Sequence, residues 1–112
     1  MATTVNWDWL SQNPNDGAVD LILANTWKIY WTNLSLNSND KAVDLLLAHP
    51  ENIWWECLSE NSNDRAVDLL LANPEKIDLY YLSQNTNDKA VNMIYEKLGL
   101  HPYYVFDNYI LK

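Results

Sequence analysis

Ser38–Ala48 reads SNDKAVDLLLA, and Ser62–Ala72 reads SNDRAVDLLLA. The second copy differs only in Arg65 for Lys41. Outward from this pair, Asn-Asp recurs at 15–16, 39–40, 63–64 and 87–88, a spacing of 24 residues. Other columns keep the same register: Ala18, Ala42, Ala66 and Ala90; Ile29, Ile53 and Ile77; Leu34, Leu58 and Leu82; Ser35, Ser59 and Ser83. Self-similarity at a fixed period of this size is the mark of a repeat architecture. The chain of 112 residues divides into a half unit (5–14), three whole units (15–38, 39–62, 63–86) and an altered last unit (87–112), expected to form one domain.

A second beat of twelve runs inside the first. Asn stands at 13, 25, 37, 61, 73 and 85, with His49 in the remaining place, and Pro14, Pro50 and Pro74 follow three of these seven positions. Asn is a preferred N-cap, and Pro suits the first helical position, where a missing N–H costs nothing. Asp16, Asp40, Asp64 and Asp88 each follow an Asn by three residues, as in a capping box. Each unit should therefore hold two helices of about ten residues, such as Ser38–Ala48 and Pro50–Ser59, opened by the Asn beat. Helices so short need neighbours for stability, so the expected fold is all-α, an α-solenoid of stacked two-helix repeats. A leucine-rich repeat has a similar period. It is set aside because L-x-x-L-x-L-x-x-N is absent, Leu-Leu-Leu-Ala favours helix, and Pro after Asn would remove a ladder donor.

In the first helix Ala42, Val43, Leu46 and Leu47 make the inward stripe, widened by Leu45. In the second, Ile53, Trp55 and Leu58 point inward, and the Trp7, Trp31, Trp55, Leu79 column should be buried. The end, EKLGLHPYYVFDNYILK, regains register after a four-residue insertion, with His101-Pro102 for His49-Pro50, Val105 at the Ile position and Ile110 at the Leu position. Terminal repeats must present a face without a neighbour, so this end reads as a cap.

LSQNPNDGAV (10–19) and LANPEKIDLYYLSQN (71–85) resemble the Asn/Pro-rich short repeats of giant DNA virus proteins, with their LS-x-NPN and NP-[DE]-KI-[DN]-W phrases. The likeness covers Val5 to about Leu98, and Ser38, Ser62 and Thr86 depart from it by replacing Pro. It implies an α-helical repeat, a viral origin, and residence in a host cytoplasm or a virion. It transfers no catalytic residue.

The net charge is −8, from 15 acidic and 7 basic residues. That opposes binding to nucleic acid or an anionic membrane, which needs a basic face. It favours a basic protein partner or mimicry of a polyanion. Cys57 is the only cysteine, so no internal disulfide forms and a reducing compartment is expected. MATTVNWDWL lacks the form of a signal peptide, and no apolar run approaches a membrane span.

Columns that vary between units are candidates for an outer surface. Tyr30 and Trp54 share one such column with Asn6 and Asp78; Glu56 and Tyr80 share the next. Tyr30, Trp54 and Tyr80, rimmed by Glu51 and Glu56, are the candidate partner-binding residues, as a hot spot or as a plain cover for the core. Asp16, Asp40, Asp64 and Asp88 read as caps. Asp20, Asp44 and Asp68 form a second acidic row, with Lys41 and Arg65 three residues before the latter two. Ser35, Ser59 and Ser83 lack a recurring base and should bond a helix end rather than act as nucleophiles. His49 and His101 read as caps, and Cys57 as an exposed side chain. No catalytic, cofactor or metal constellation is visible. The expected function is a non-enzymatic protein-interaction module. The alternatives are an inhibitor that mimics nucleic acid and a structural protein that assembles through its ends into homo-oligomers.

Overall fold

The computed structural model describes residues 4–100. Among them every regular element is helical. The α-helices are α1 (Trp7–Gln12), α2 (Asp16–Leu23), α3 (Trp31–Leu34), α4 (Asp40–Ala48), α5 (Trp55–Ser59), α6 (Asp64–Ala72), α7 (Leu79–Leu82) and α8 (Asp88–Lys97). Single 3₁₀ turns at Thr26–Lys28, Pro50–Asn52 and Pro74–Lys76 separate long helices from short ones. The long helices match the expected spans to within two residues at Ser38–Ala48. The second helix does not: the stretch from Pro50 to Ser59 is a 3₁₀ turn, an extended joint at Ile53 and Trp54, and then five residues of α5. Pro50 and Pro74 do open their turns.

The joint has a local cause. The Trp54 N–H leaves any helical ladder and donates to Ser35 Oγ at 3.0 Å. Tyr30 does the same to Ser11 Oγ at 3.1 Å, and Asp78 to Ser59 Oγ at 3.0 Å. Each of these hydroxyls in turn donates to a carbonyl four residues back, at Trp7, Trp31 or Trp55. The repeated serines thus tie the end of one short helix to the start of the next.

The caps fall elsewhere than the Asn beat placed them. Asn15, Asn39, Asn63 and Asn87 are the residues whose side-chain oxygens accept N–H groups of the first turn. Asn37, Asn61 and Asn85, two residues earlier, are buried and reach backwards along the chain. The Asn37 amide donates to Ser11 O and Asn13 O, both at 2.9 Å. That of Asn61 donates to Ser35 O and Asn37 O, and that of Asn85 to Ser59 O and Asn61 O. Their own oxygens accept from the capping Asn two residues on. Asn25 and Asn73 make no cap either; they donate to Leu21 O and Leu69 O at the end of the preceding helix. Asp16, Asp40 and Asp64 stand in the first helical turn, where a negative charge is favoured, and each accepts from the capping Asn of the following unit.

The core is one cluster: Val19, Ile22, Leu34, Ala42, Val43, Leu46, Ile53, Leu58, Ala66, Val67, Leu70, Leu82, Ala90 and Met93. Leu47, expected on the inward stripe, is exposed. Trp7, Trp31 and Trp55 pack against the core but stay half-buried, and Leu79 is exposed. Helix α1 packs on α2 and α3, α2 on α4, α5 on α6 and α7, and α8 on α6 and α7. A left-handed Gly99 (φ 71°) ends α8, a conformation that glycine adopts at little cost. The expected C-terminal cap, with His101-Pro102, Val105 and Ile110, lies outside the described residues.

Candidate partner-binding face

Two rows of polar contacts sort the charges. Lys41 Nζ donates to Asp20 at 2.9 Å, Arg65 to Asp44 at 2.5 Å, and Lys89 Nζ to Asp68 at 2.8 Å. The expected pairing within one helix, Lys41 with Asp44 and Arg65 with Asp68, is replaced by pairing with the carboxylate one unit earlier. The reason is reach: a long side chain at the start of one helix lies beside the previous long helix. The hydrogen bond to the carboxylate is the largest cause raising the pKa of all three cations, against an opposing desolvation. Among the described residues, the Lys and Arg ion pairs take up Asp20, Asp40, Asp44, Asp64 and Asp68; none involves Glu51 or Glu56.

Those two carboxylates lie close in sequence to Trp54, Glu51 in the turn before it and Glu56 in the first turn of α5. Tyr30 and Trp54 directly precede α3 and α5, their backbones held by Ser11 and Ser35, and the two residues are 53% and 52% exposed. Pinned main chain with open ring is a favourable state for an anchor, since little ordering is left to do on binding. Asp78 holds the same place before α7 and caps it through Tyr81 N. Tyr80 is 77% exposed and stacks edge-on against Tyr81 at 5.5 Å. It shares a sequence column with Glu56, on α7 and α5, which pack together. Glu51 lies in the turn Pro50–Asn52, its Oε1 3.5 Å from His49 Nδ1. All five candidate residues are therefore on the surface.

Trp9 and Trp27, 73% and 74% exposed, were not among the candidate binding residues. Trp27 had a signal: its column otherwise holds Glu51 and Glu75. It forms the lip of a cleft of about 340 Å³ lined by Thr26, Trp27, Ile29, Trp31, Leu45, His49 and Asn52. A second cleft of about 380 Å³ includes Pro74, Ile77, Leu79, Met93 and Lys97, each 48 residues after a lining residue of the first.

The half-buried tryptophans carry different covers. Lys28 Nζ lies 5.9 Å from the centre of the Trp7 ring, and Lys76 Nζ 5.3 Å from that of Trp55. Over Trp31 the corresponding position is Asn52, and the His49 ring meets Trp31 edge-on at 5.6 Å. His49 is thus a ring contact rather than the cap expected of it; its side chain makes no capping bond.

Cys57 is half-buried rather than open. Its thiol pKa is pushed up by burial first, then by the charges of Glu56 and Glu60. Ser11, Ser35 and Ser59 are buried and committed to backbone bonds at both ends. Among the described residues no group of three His, Cys, Asp or Glu side chains is placed to hold a metal ion, and no helix is long and apolar enough to cross a membrane. No protein-family model, curated protein or solved structure matches the chain.

Proposed function

We propose that the chain is an α-solenoid of 24-residue units that binds a basic protein partner through its aromatic and acidic face. The backward bonds of Asn37, Asn61 and Asn85 support the stacked arrangement: each links a unit to carbonyls 24 and 26 residues earlier. The observation that carries the binding role is the pair Tyr30 and Trp54. Their main chains are fixed and the residues are half exposed, close in sequence to Glu51 and Glu56, which pair with no Lys or Arg among the described residues.

Aromatic anchors in such settings dominate interface energies. Immobilised basic peptides supply a partner of the right charge, and titration of the chain over them measures affinity. Trp54→Ala should weaken the best binder at least tenfold, with a modest salt dependence. If Trp54→Ala binds as well as the parent, and every basic peptide is lost steeply with salt, the face acts only as a polyanion. The mimicry reading then replaces this one.

A further inference from the structure

We propose that the cleft over Trp31 is a seat for a lysine side chain of the partner. The proposal rests on the binding role above and says where the partner's charge goes. It is carried by the chain's comparison with itself. The Trp7 and Trp55 rings each lie under a lysine of this chain, Lys28 and Lys76, 21 residues further on. Ammonium groups within about 6 Å of an indole centre are held by the ring's quadrupole. At Trp31 the same position is Asn52, which carries no charge, and a cleft of about 340 Å³ opens there.

The departures from the repeat gather at this cleft. Thr26 stands where the other units have Pro50 and Pro74, and Trp27 where they have Glu51 and Glu75. His49 stands where they have Asn25 and Asn73, and Asn52 where they have Lys28 and Lys76. All four line the cleft, while its other walls, Ile29, Trp31 and Leu45, lie in uniformly apolar columns. An apolar floor is thus kept and the rim alone is changed. The changes remove the internal cation and supply an exposed indole at Trp27. The Glu51 carboxylate lies 3.5 Å from Nδ1 of His49, a lining residue. Apolar walls for a four-carbon stem, aromatic faces and a nearby carboxylate for its head are what a lysine side chain requires.

The test uses the whole chain and short acetylated, amidated Gly-Ser peptides carrying lysine, with the same peptides carrying norleucine as the uncharged shape control. Indole N–H signals of Trp27 and Trp31 report the site by NMR. Lysine peptides should shift both signals, and norleucine peptides should bind at least tenfold more weakly. Asn52→Lys, which copies the two lidded tryptophans, should lower lysine-peptide affinity at least tenfold. Asn52→Gln should leave it within twofold, and circular dichroism should match the parent for both variants. Equal binding of norleucine and lysine, or undiminished binding to Asn52→Lys, overturns the seat. If basic peptides bind and are lost on Trp54→Ala but ignore Asn52→Lys, the face stands and the seat falls. If no basic peptide binds, both fall.

Discussion

The Asn61 side-chain amide donates to the carbonyls of Ser35, at 3.0 Å, and Asn37, at 2.8 Å, in a buried setting. Its oxygen accepts the Asn63 N–H at 2.9 Å. One side chain satisfies three main-chain groups in two units, and no buried side-chain polar atom among the described residues is left without a partner. Asn61→Ala should strand those carbonyls at a cost of about 2–4 kcal/mol, since an unpaired buried polar group costs about 1–3. Asn13→Ala should cost under about 1 kcal/mol, because Asn13 is exposed and its side chain serves only Asn15 N. Urea unfolding of the two variants checks the contrast; equal losses would remove the backward bonds from the account of stability.

The serine relay makes a parallel case. Ser35 Oγ, fully buried, donates to Trp31 O and accepts from Trp54 N. Ser35→Ala leaves that N–H unpaired and should cost about 1–3 kcal/mol. Ser83 is exposed and donates to Leu79 O, so Ser83→Ala should stay within about 0.5 kcal/mol. Hydrogen exchange at Trp54 N–H should quicken in Ser35→Ala; unchanged protection there would mean the hydroxyl does not hold the joint.

The long helices were legible because their evidence is local. DLLLA with Ala and Val one turn earlier fixes a 3.6-residue stripe, and Val43, Leu46, Val67 and Leu70 are buried on it. What was not legible is decided across units. Asn37 and Asn39 are equally good caps by type; the caps fall to Asn39 because the Asn37 amide finds carbonyls 24 and 26 residues back. Lys41 has one acid three residues away and another 21 residues back, and only the packing of α4 on α2 brings the second into reach. The tryptophan column is apolar in sequence, yet a ring that meets a lysine ammonium or the edge of a histidine stays half-buried. Among the exposed aromatic residues, Tyr30 and Trp54 were marked by lying in a variable column, but Trp27 required comparing each unit with the other two.

Core packing gives a further contrast between neighbours in sequence. Leu70 has no exposed surface, and Leu71 is 46% exposed. Leu70→Ala should cost about 2–5 kcal/mol, the range for opening a cavity in a packed core. Leu71→Ala should cost under about 1 kcal/mol. A Leu70→Ala loss in the Leu71→Ala range would mean the units do not press together at this level.

The ladder of cations gives stability a pH dependence. Lys41 and Lys89 have folded pKa values above the ordinary lysine value, chiefly through their hydrogen bonds to Asp20 and Asp68. A raised pKa means the contribution is whole below the unfolded value, about 10.4, and is lost as pH climbs through the folded value. The melting-temperature gap between the parent and Lys41→Met/Lys89→Met should therefore hold steady from about pH 8 to 10 and close above that. Arg65 keeps its proton throughout and should leave a residual ladder. Both side chains reach solvent, so added salt should also narrow the gap. A gap that widens as pH rises would contradict the pairing.

Cys57 supplies the last expectation. A thiol reacts as its thiolate, so raising the pKa slows reaction at neutral pH. Burial is the largest cause here, with Glu56 and Glu60 adding their charge. Alkylation by iodoacetamide at about pH 7.5 should run several-fold slower than for a free cysteine peptide, and should accelerate at pH values above the ordinary cysteine pKa of about 8.5. Glu56→Gln removes one of the two charges but not the burial, so it should restore only part of the rate. Full restoration would make charge the main cause, and alkylation as fast as the free peptide would place the sulfur in open solvent.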